Sequence, residues 1–292
     1  MIARKLSLVF AVALAVLSYW FMISAPGVVD PEFAGTIYVF FALALAVIFG
    51  LTIVALRLAT AGSQVYWILG SGSDQVGRIA LLIATALAIH VSVSWFVDLQ
   101  GRLDETANVV GLIVWTTVTA VFLACGVVKW PVRLKSASKV RLVTLGLASL
   151  GIAVIISVLK FANTREEYSI PLSTKLVIQL GGLVAAAAAE EVVFRILLLT
   201  NLLGMTHSRF NAVFLSGTFF GLTHAPLALL QPVLHADWPM LAYAAQSYLP
   251  VFLMQTLLGL FLGVVWLRTG SIVLIVATHA IMNVGPSLPS SF

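Results

Sequence analysis

Nine apolar stretches, each close to the length needed to cross a bilayer, leave this chain little choice of solvent. About 20 consecutive apolar residues span the hydrocarbon core as a helix. By that measure the candidate spans are residues 6–24, 36–59, 78–97, 107–128, 140–161, 174–203, 210–230, 240–267 and 271–286. The eighth contains Pro250, which predicts a kink or a short interfacial piece ahead of it, and the ninth is short, so the count is eight or nine. The expected fold class is all-α, a polytopic membrane helical bundle. Charge is correspondingly scarce: 61% of the 292 residues are hydrophobic and 9% are charged, against about 25% in a soluble domain. Too little charge remains to cover a water-facing surface.

The net charge of +5 does not point to nucleic acid, because the basic residues sit between apolar runs rather than on one solvated face. They sort by side instead. With the N-terminus cytoplasmic, the inner segments hold Arg4, Lys5, Arg57, Arg78, Lys129, Arg133, Lys135, Lys139, Arg141, Arg209 and Arg268. The outer segments hold only Arg102, Lys160, Arg165 and Lys175, together with most of the acids. Eleven against four is a strong positive-inside bias, and it predicts an external C-terminus after nine spans. Arg4 and Lys5 ahead of residues 6–23 could begin a secretory signal, but the run is long and Ala25-Pro26 is a poor cleavage site, so it reads as a retained first helix. The single cysteine, Cys125, permits no intrachain disulfide. The basic loop Lys129–Arg141 and the polar loop near Arg165 divide the chain into two expected regions, residues 1–168 with helices of unassigned role and residues 169–292 with the later spans.

Polar groups at bilayer depth are costly and usually face a partner or a wet cavity. In the first five spans His90 stands alone, which fits a satisfied structural histidine. The later spans differ. Glu190, Glu191 and Arg195 follow a run of five alanines inside the sixth span. Neighbouring helical positions diverge by about 100°, so Glu190 and Glu191 point apart. Glu191 and Arg195 are four residues apart and can pair, which leaves Glu190 unassigned. The seventh span offers Phe220 and His224, and the ninth offers His279 and Asn283, one turn apart. At ~1.5 Å per residue, Glu190, His224 and His279 lie roughly 15–22 Å from the cytoplasmic ends of their spans. A shared level is unexpected for unrelated interhelical glue. Gly217 with Gly221, and Gly259 with Gly263, read as helix-packing faces.

Such a set suits hydrolysis of an acyl bond. A buried carboxyl can serve as general base toward water, with His224 beside Glu190. His279 and Asn283 can donate to the oxyanion. Alternatively Glu190, His224 and His279 could hold zinc, with water in the fourth position. Against zinc stands the outer shell: a metal-bound His gives its other N–H to a carboxylate, carbonyl or water, and Glu191 is better used by Arg195. No obligatory cofactor is therefore expected. No Gly-x-Ser-x-Gly elbow, His-Glu-x-x-His helix or Walker loop suggests another reaction.

Glu190-Glu191-x-x-x-Arg195, Phe220-x-x-x-His224 and His279-x-x-x-Asn283, in this order on successive spans, resemble the CPBP family of CAAX-processing and bacteriocin-processing membrane proteases. The resemblance covers about residues 172–286. It implies an intramembrane endopeptidase in which Glu190 activates water with His224 as partner, His279 and Asn283 bind the oxyanion, and Glu191 and Arg195 give support. It also implies a multi-pass protein of a prokaryotic plasma membrane, with a peptide or membrane protein as substrate and the lipid bilayer as surroundings. Two other classes compete: a non-catalytic partner-binding or bacteriocin-immunity protein, and a proton-coupled transporter. A carrier would more typically show internal repeats with broken helices, and none is evident.

Overall fold

The computed structural model describes residues 2–24, 33–68, 74–99, 103–162, 174–229 and 238–287. Each of the nine apolar stretches becomes helix. The order is α1 (Ile2–Ser24), α2 (Ala34–Thr60), β1 (Trp67–Ile68), α3 (Asp74–Asp98), α4 (Leu103–Ala124), β2 (Val132–Arg133) and α5 (Lys139–Ala162). There follow α6 (Thr174–Glu191), a π-helical segment (Val192–Leu199), α7 (Thr200–Thr206), α8 (Arg209–Leu222), α9 (Ala225–Ala228), α10 (Trp238–Thr269) and α11 (Ile272–Ser287). Five helices among the described residues are long and apolar enough to cross a membrane: Ile2–Trp20, Ala34–Thr60, Gln75–Asp98, Lys139–Leu159 and Tyr248–Thr269. Shorter apolar helices cover Val109–Ala124 and Ile272–Val284. On α2 the large side chains of Val39, Phe40, Leu43, Val47 and Leu51 are exposed. A row of that kind is a lipid-facing surface, because water would penalise it at about 25 cal/mol per Å².

Among the described residues no separate piece precedes the span that holds Pro250: α10 runs through the proline as one helix of 32 residues. The seventh span is shorter than residues 210–230, because α8 stops at Leu222 and Thr223–His224 form a turn before the brief α9. Pro226 has no N–H with which to bond the Leu222 carbonyl four residues back, and α8 ends at Leu222.

Contacts divide the chain into two compact units that interleave in sequence: Met1–Ser63 with Thr206–Val264, and Gln64–Met205 with Val265–Phe292. In the first, α1, α2 and α8 pack on one another. Phe10 meets Phe219 edge-on at 5.6 Å, and the Arg57 guanidinium lies 5.6 Å from the Phe210 ring centroid. Ser208 caps α8 by accepting from the Asn211 N–H. The small-residue face expected of Gly217 and Gly221 is present. A Cβ on Gly259 would stand 2.7 Å from the Cα of Gly217, and one on Gly221 would collide with Thr256 and Phe252. Backbone thus meets backbone where α8 crosses α10. Gly259→Ala should cost about 1–3 kcal/mol by overpacking, read as a clear drop in melting temperature in detergent. Melting at the wild-type temperature would show that the two helices separate without cost.

In the second unit α3 packs on α4, α4 on α6, and α11 on both α5 and α6. His90 is buried, and its ring fills the space left by Gly111, where a Cβ would lie 3.1 Å from its Cε1. A two-stranded antiparallel ribbon, absent from the sequence expectation, joins the α2–α3 and α4–α5 connections, with Trp67 opposite Arg133 and Ile68 opposite Val132. The ribbon holds the start of α11. The Trp67 indole N–H donates to the Gly270 carbonyl at 2.9 Å, and Trp67 stacks on Trp266 at 5.6 Å. Gly270 has φ +58 with Tyr66 closely packed against it, a position where any side chain would be strained.

Candidate active site

The site is built where α6 passes into the π-helical segment. Glu190 and Glu191 end the regular helix, and the wider winding carries Arg195. Single π turns inside helices often coincide with functional sites. The hydroxyl of Thr200 bonds the Arg195 carbonyl, five residues back, at 3.2 Å, and accepts from the Trp266 indole N–H at 3.3 Å. Phe194 packs against Trp115 of α4 with ring centroids 5.9 Å apart. The segment is closed in by protein: residues 193–200 are all buried.

Glu191 and Arg195 form the ion pair that their spacing predicted, Nη1 to Oε1 at 2.9 Å, with both side chains fully buried. The same Oε1 also accepts from Nδ1 of His279 at 2.8 Å. Arg195 therefore does not exhaust Glu191, so their pairing carries no argument against zinc. Two cationic or polar donors converge on one carboxylate oxygen, which is possible because a carboxylate has about four lone-pair sites. The other ring nitrogen, Nε2 of His279, faces Oε2 of Glu190 at 3.6 Å. Although they are neighbours in the helix, where divergent directions are expected, Glu190 and Glu191 reach opposite edges of one imidazole. The two carboxylates differ in access: His279 is 1% exposed and Glu191 0%, while the Glu190 side chain is 25% exposed.

This arrangement orders the roles. Arg195 and the fold fix Glu191, Glu191 fixes the ring of His279, and the ring presents Nε2 on the side where Glu190 is open. A water beside Nε2 and Glu190 could meet both groups, whereas a carbonyl oxygen could accept only from Nε2–H. Asn283 lies one turn beyond His279 on α11 and is half-buried. Glu190 and Nε2 of His279 are also the groups of this unit that could ligate a metal. Among the described residues no cluster of three or more His, Cys, Asp or Glu side chains is gathered as a ligand set.

His224 and Phe220 belong to the other compact unit. His224 is half-buried on the turn after α8 rather than inside a helix. Its Nδ1 donates to the Phe220 carbonyl at 2.9 Å, and its ring meets the Phe220 ring edge-on at 5.0 Å. In the neutral ring that bond leaves Nε2 as the acceptor. Phe220 itself is buried, and the Tyr248 hydroxyl donates to the adjacent Gly221 carbonyl at 2.6 Å. His207 is exposed at a positive φ of 50, as a solvated histidine should be, and His235 lies outside the described residues. That Thr200, Trp266 and Trp115 stand behind the π segment is not legible in the sequence, because the contacts joining them to it and to one another are mostly long-range.

Residues 172–285 match the family model described as Type II CAAX prenyl endopeptidase Rce1-like. The match takes in α6 to α11, including Glu190, Glu191, Arg195, Phe220, His224, His279 and Asn283, and leaves residues 1–171 outside it. No curated protein and no solved structure matches the chain.

Proposed function

We infer, from the premise that residues 172–285 belong to the CPBP family of CAAX-type membrane endopeptidases, that this integral membrane peptidase cuts its substrate with a water activated by Glu190. The observation that carries the reading is the asymmetry around His279: a closed side held by Glu191 and Arg195, and an open side shared with Glu190. In this reading Glu190 takes a proton from water as its oxygen attacks the scissile carbonyl carbon. The negative charge moves onto the carbonyl oxygen, where Nε2–H of His279 and the Asn283 amide donate hydrogen bonds. Collapse breaks the C–N bond, and Glu190 returns the proton to the departing amine, leaving a carboxylic acid and an amine, between which a proton then passes to give carboxylate and ammonium. The place of Phe220-x-x-x-His224 within the family match makes His224 the proposed partner of Glu190.

A second reading follows from the short Glu191–His279 bond. If Nε2 carries no proton, His279 oriented by Glu191 is itself a base for water, by the same logic as a carboxylate-oriented histidine in a triad. Glu190 would then hold the water rather than deprotonate it. Substituting Glu190 separates the two.

Neither reading requires a metal. Purified chain should keep cleaving after exhaustive chelation, and in 18O-labelled water a single turnover should label the new C-terminal carboxylate and not Glu190. Loss of cleavage on chelation with recovery on zinc would turn Glu190 and His279 into ligands. Label on Glu190 would make it a nucleophile. The substrate class supported is a peptide segment of a membrane or membrane-associated protein.

The proposed orientation keeps the basic connections cytoplasmic and the C-terminus external in a prokaryotic plasma membrane. A reporter placed between Lys129 and Arg141 should read as cytoplasmic, and one after Phe292 as external. Both on one side would remove a span from the count.

A further inference from the structure

The basic connection ahead of α5 does more than mark a side of the membrane. A cavity of about 420 Å³ opens there, lined by Ser138, Val140, Arg141, Thr144, Leu145 and Arg268. Two guanidiniums and two hydroxyls face it, with no acidic side chain in the lining. Arg141 is held in place: its Nη1 donates to the Tyr66 hydroxyl at 3.0 Å, and its backbone N–H bonds the Ser138 hydroxyl that caps α5. Arg268 comes from the last turn of α10, where a cation also complements the helix dipole. The other walls are aliphatic, and they lie on a helix that presents Val140, Val143 and Leu147 outward.

We propose that this cavity binds the headgroup of an anionic phospholipid, with the phosphate between Arg141 and Arg268 and the acyl chains along the outer face of α5. Planar guanidiniums match phosphate oxygens in pairs, and basic pockets at the ends of transmembrane helices are suited to acidic headgroups. The depth agrees. Lys139–Leu159 is a membrane-spanning length of helix, so the cavity at its first turns lies where hydrocarbon gives way to headgroups. A soluble anion would use the guanidiniums but would have no use for the aliphatic wall. The proposal does not depend on the peptidase chemistry. It does give the region outside the family match a binding role, in a cleft completed by Arg268, two residues ahead of the Gly270 turn that leads into the helix bearing His279 and Asn283.

The test uses the full chain reconstituted in vesicles of phosphatidylcholine with a minor fraction of phosphatidylglycerol, then extracted and read by native mass spectrometry. The wild type should retain one phosphatidylglycerol through delipidation. The double variant Arg141→Gln/Arg268→Gln should retain it about 30-fold more weakly, as expected for two interfacial charges. Arg141→Lys/Arg268→Lys should keep part of the retention, which separates lost charge from lost folding. Lys135→Gln/Arg209→Gln removes the same net charge elsewhere and should retain the lipid as the wild type does. Equal loss in both glutamine pairs, or no loss in the first, overturns the proposal. Displacement of the lipid by excess inorganic phosphate would also overturn it, in favour of a free-anion site.

Discussion

Glu190→Gln should lower kcat/KM for peptide cleavage by about a thousandfold or more, the range set by removing a general base, while leaving expression and melting in detergent near wild type. The structural ground for the second half is access. Glu190 is a quarter exposed, whereas Glu191 beside it is sealed between Arg195 and His279. The amide is nearly isosteric with the carboxylate and still reaches Nε2 of His279, so substrate binding should persist and the loss should fall on kcat. A fall of tenfold or less, with KM unchanged, would move the base to His279 and leave Glu190 as a water-holding group. His224→Ala should also reduce kcat, because the loss removes the acceptor fixed by the Phe220 carbonyl.

The second large effect is on folding. Glu191→Met or Arg195→Met alone should destabilise the protein by about 3–5 kcal/mol, because each leaves the other's charge fully buried without its partner. The double variant Glu191→Met/Arg195→Met should recover much of that loss, since replacing both members of a buried pair by apolar groups is often close to neutral. Activity should not return with stability, because Nδ1 of His279 has then lost the carboxylate that orients it. A double variant as unstable as the singles would mean that the pair holds the π segment together for some other reason. A double variant with full activity would remove Glu191 from the positioning of His279.

These expectations mark how far the sequence could be read. The spans were legible because hydrocarbon imposes one rule on every residue that faces it, and α2, α3, α5 and α10 begin and end within a few residues of their apolar runs. The Glu191–Arg195 pair was legible because four residues bring two side chains to one face. The π winding was not, since nothing in Val192–Leu199 separates an i→i+5 pattern from a regular helix. It was equally hidden that Glu191 serves two donors at once, because the second comes from a helix 88 residues away. Pro226, two residues after His224, is a helix-ending signal in the sequence, in line with the turn at Thr223–His224. The ribbon of Trp67–Ile68 with Val132–Arg133 has only two residues per strand, too short for any alternation to reveal.

The ribbon also gives the early helices a physical part in the site. Trp67 holds the Gly270 carbonyl and stacks on Trp266, Trp266 bonds Thr200, and Thr200 bonds the carbonyl of Arg195. Residues outside the family match thus brace both elements that meet at His279. Nothing comparable follows from the apolar pattern of residues 1–168.

The central claim, that a Glu190-dependent endopeptidase operates in the membrane, is tested most directly by comparing protein termini. Membranes from cells lacking the chain, supplied with either the wild type or Glu190→Gln at matched levels, would be compared by terminal-peptide mass spectrometry. A set of new termini in membrane-associated proteins should appear with the wild type and be missing with Glu190→Gln, as it is missing without the chain. The same termini produced by both forms, or by neither, would contradict the account.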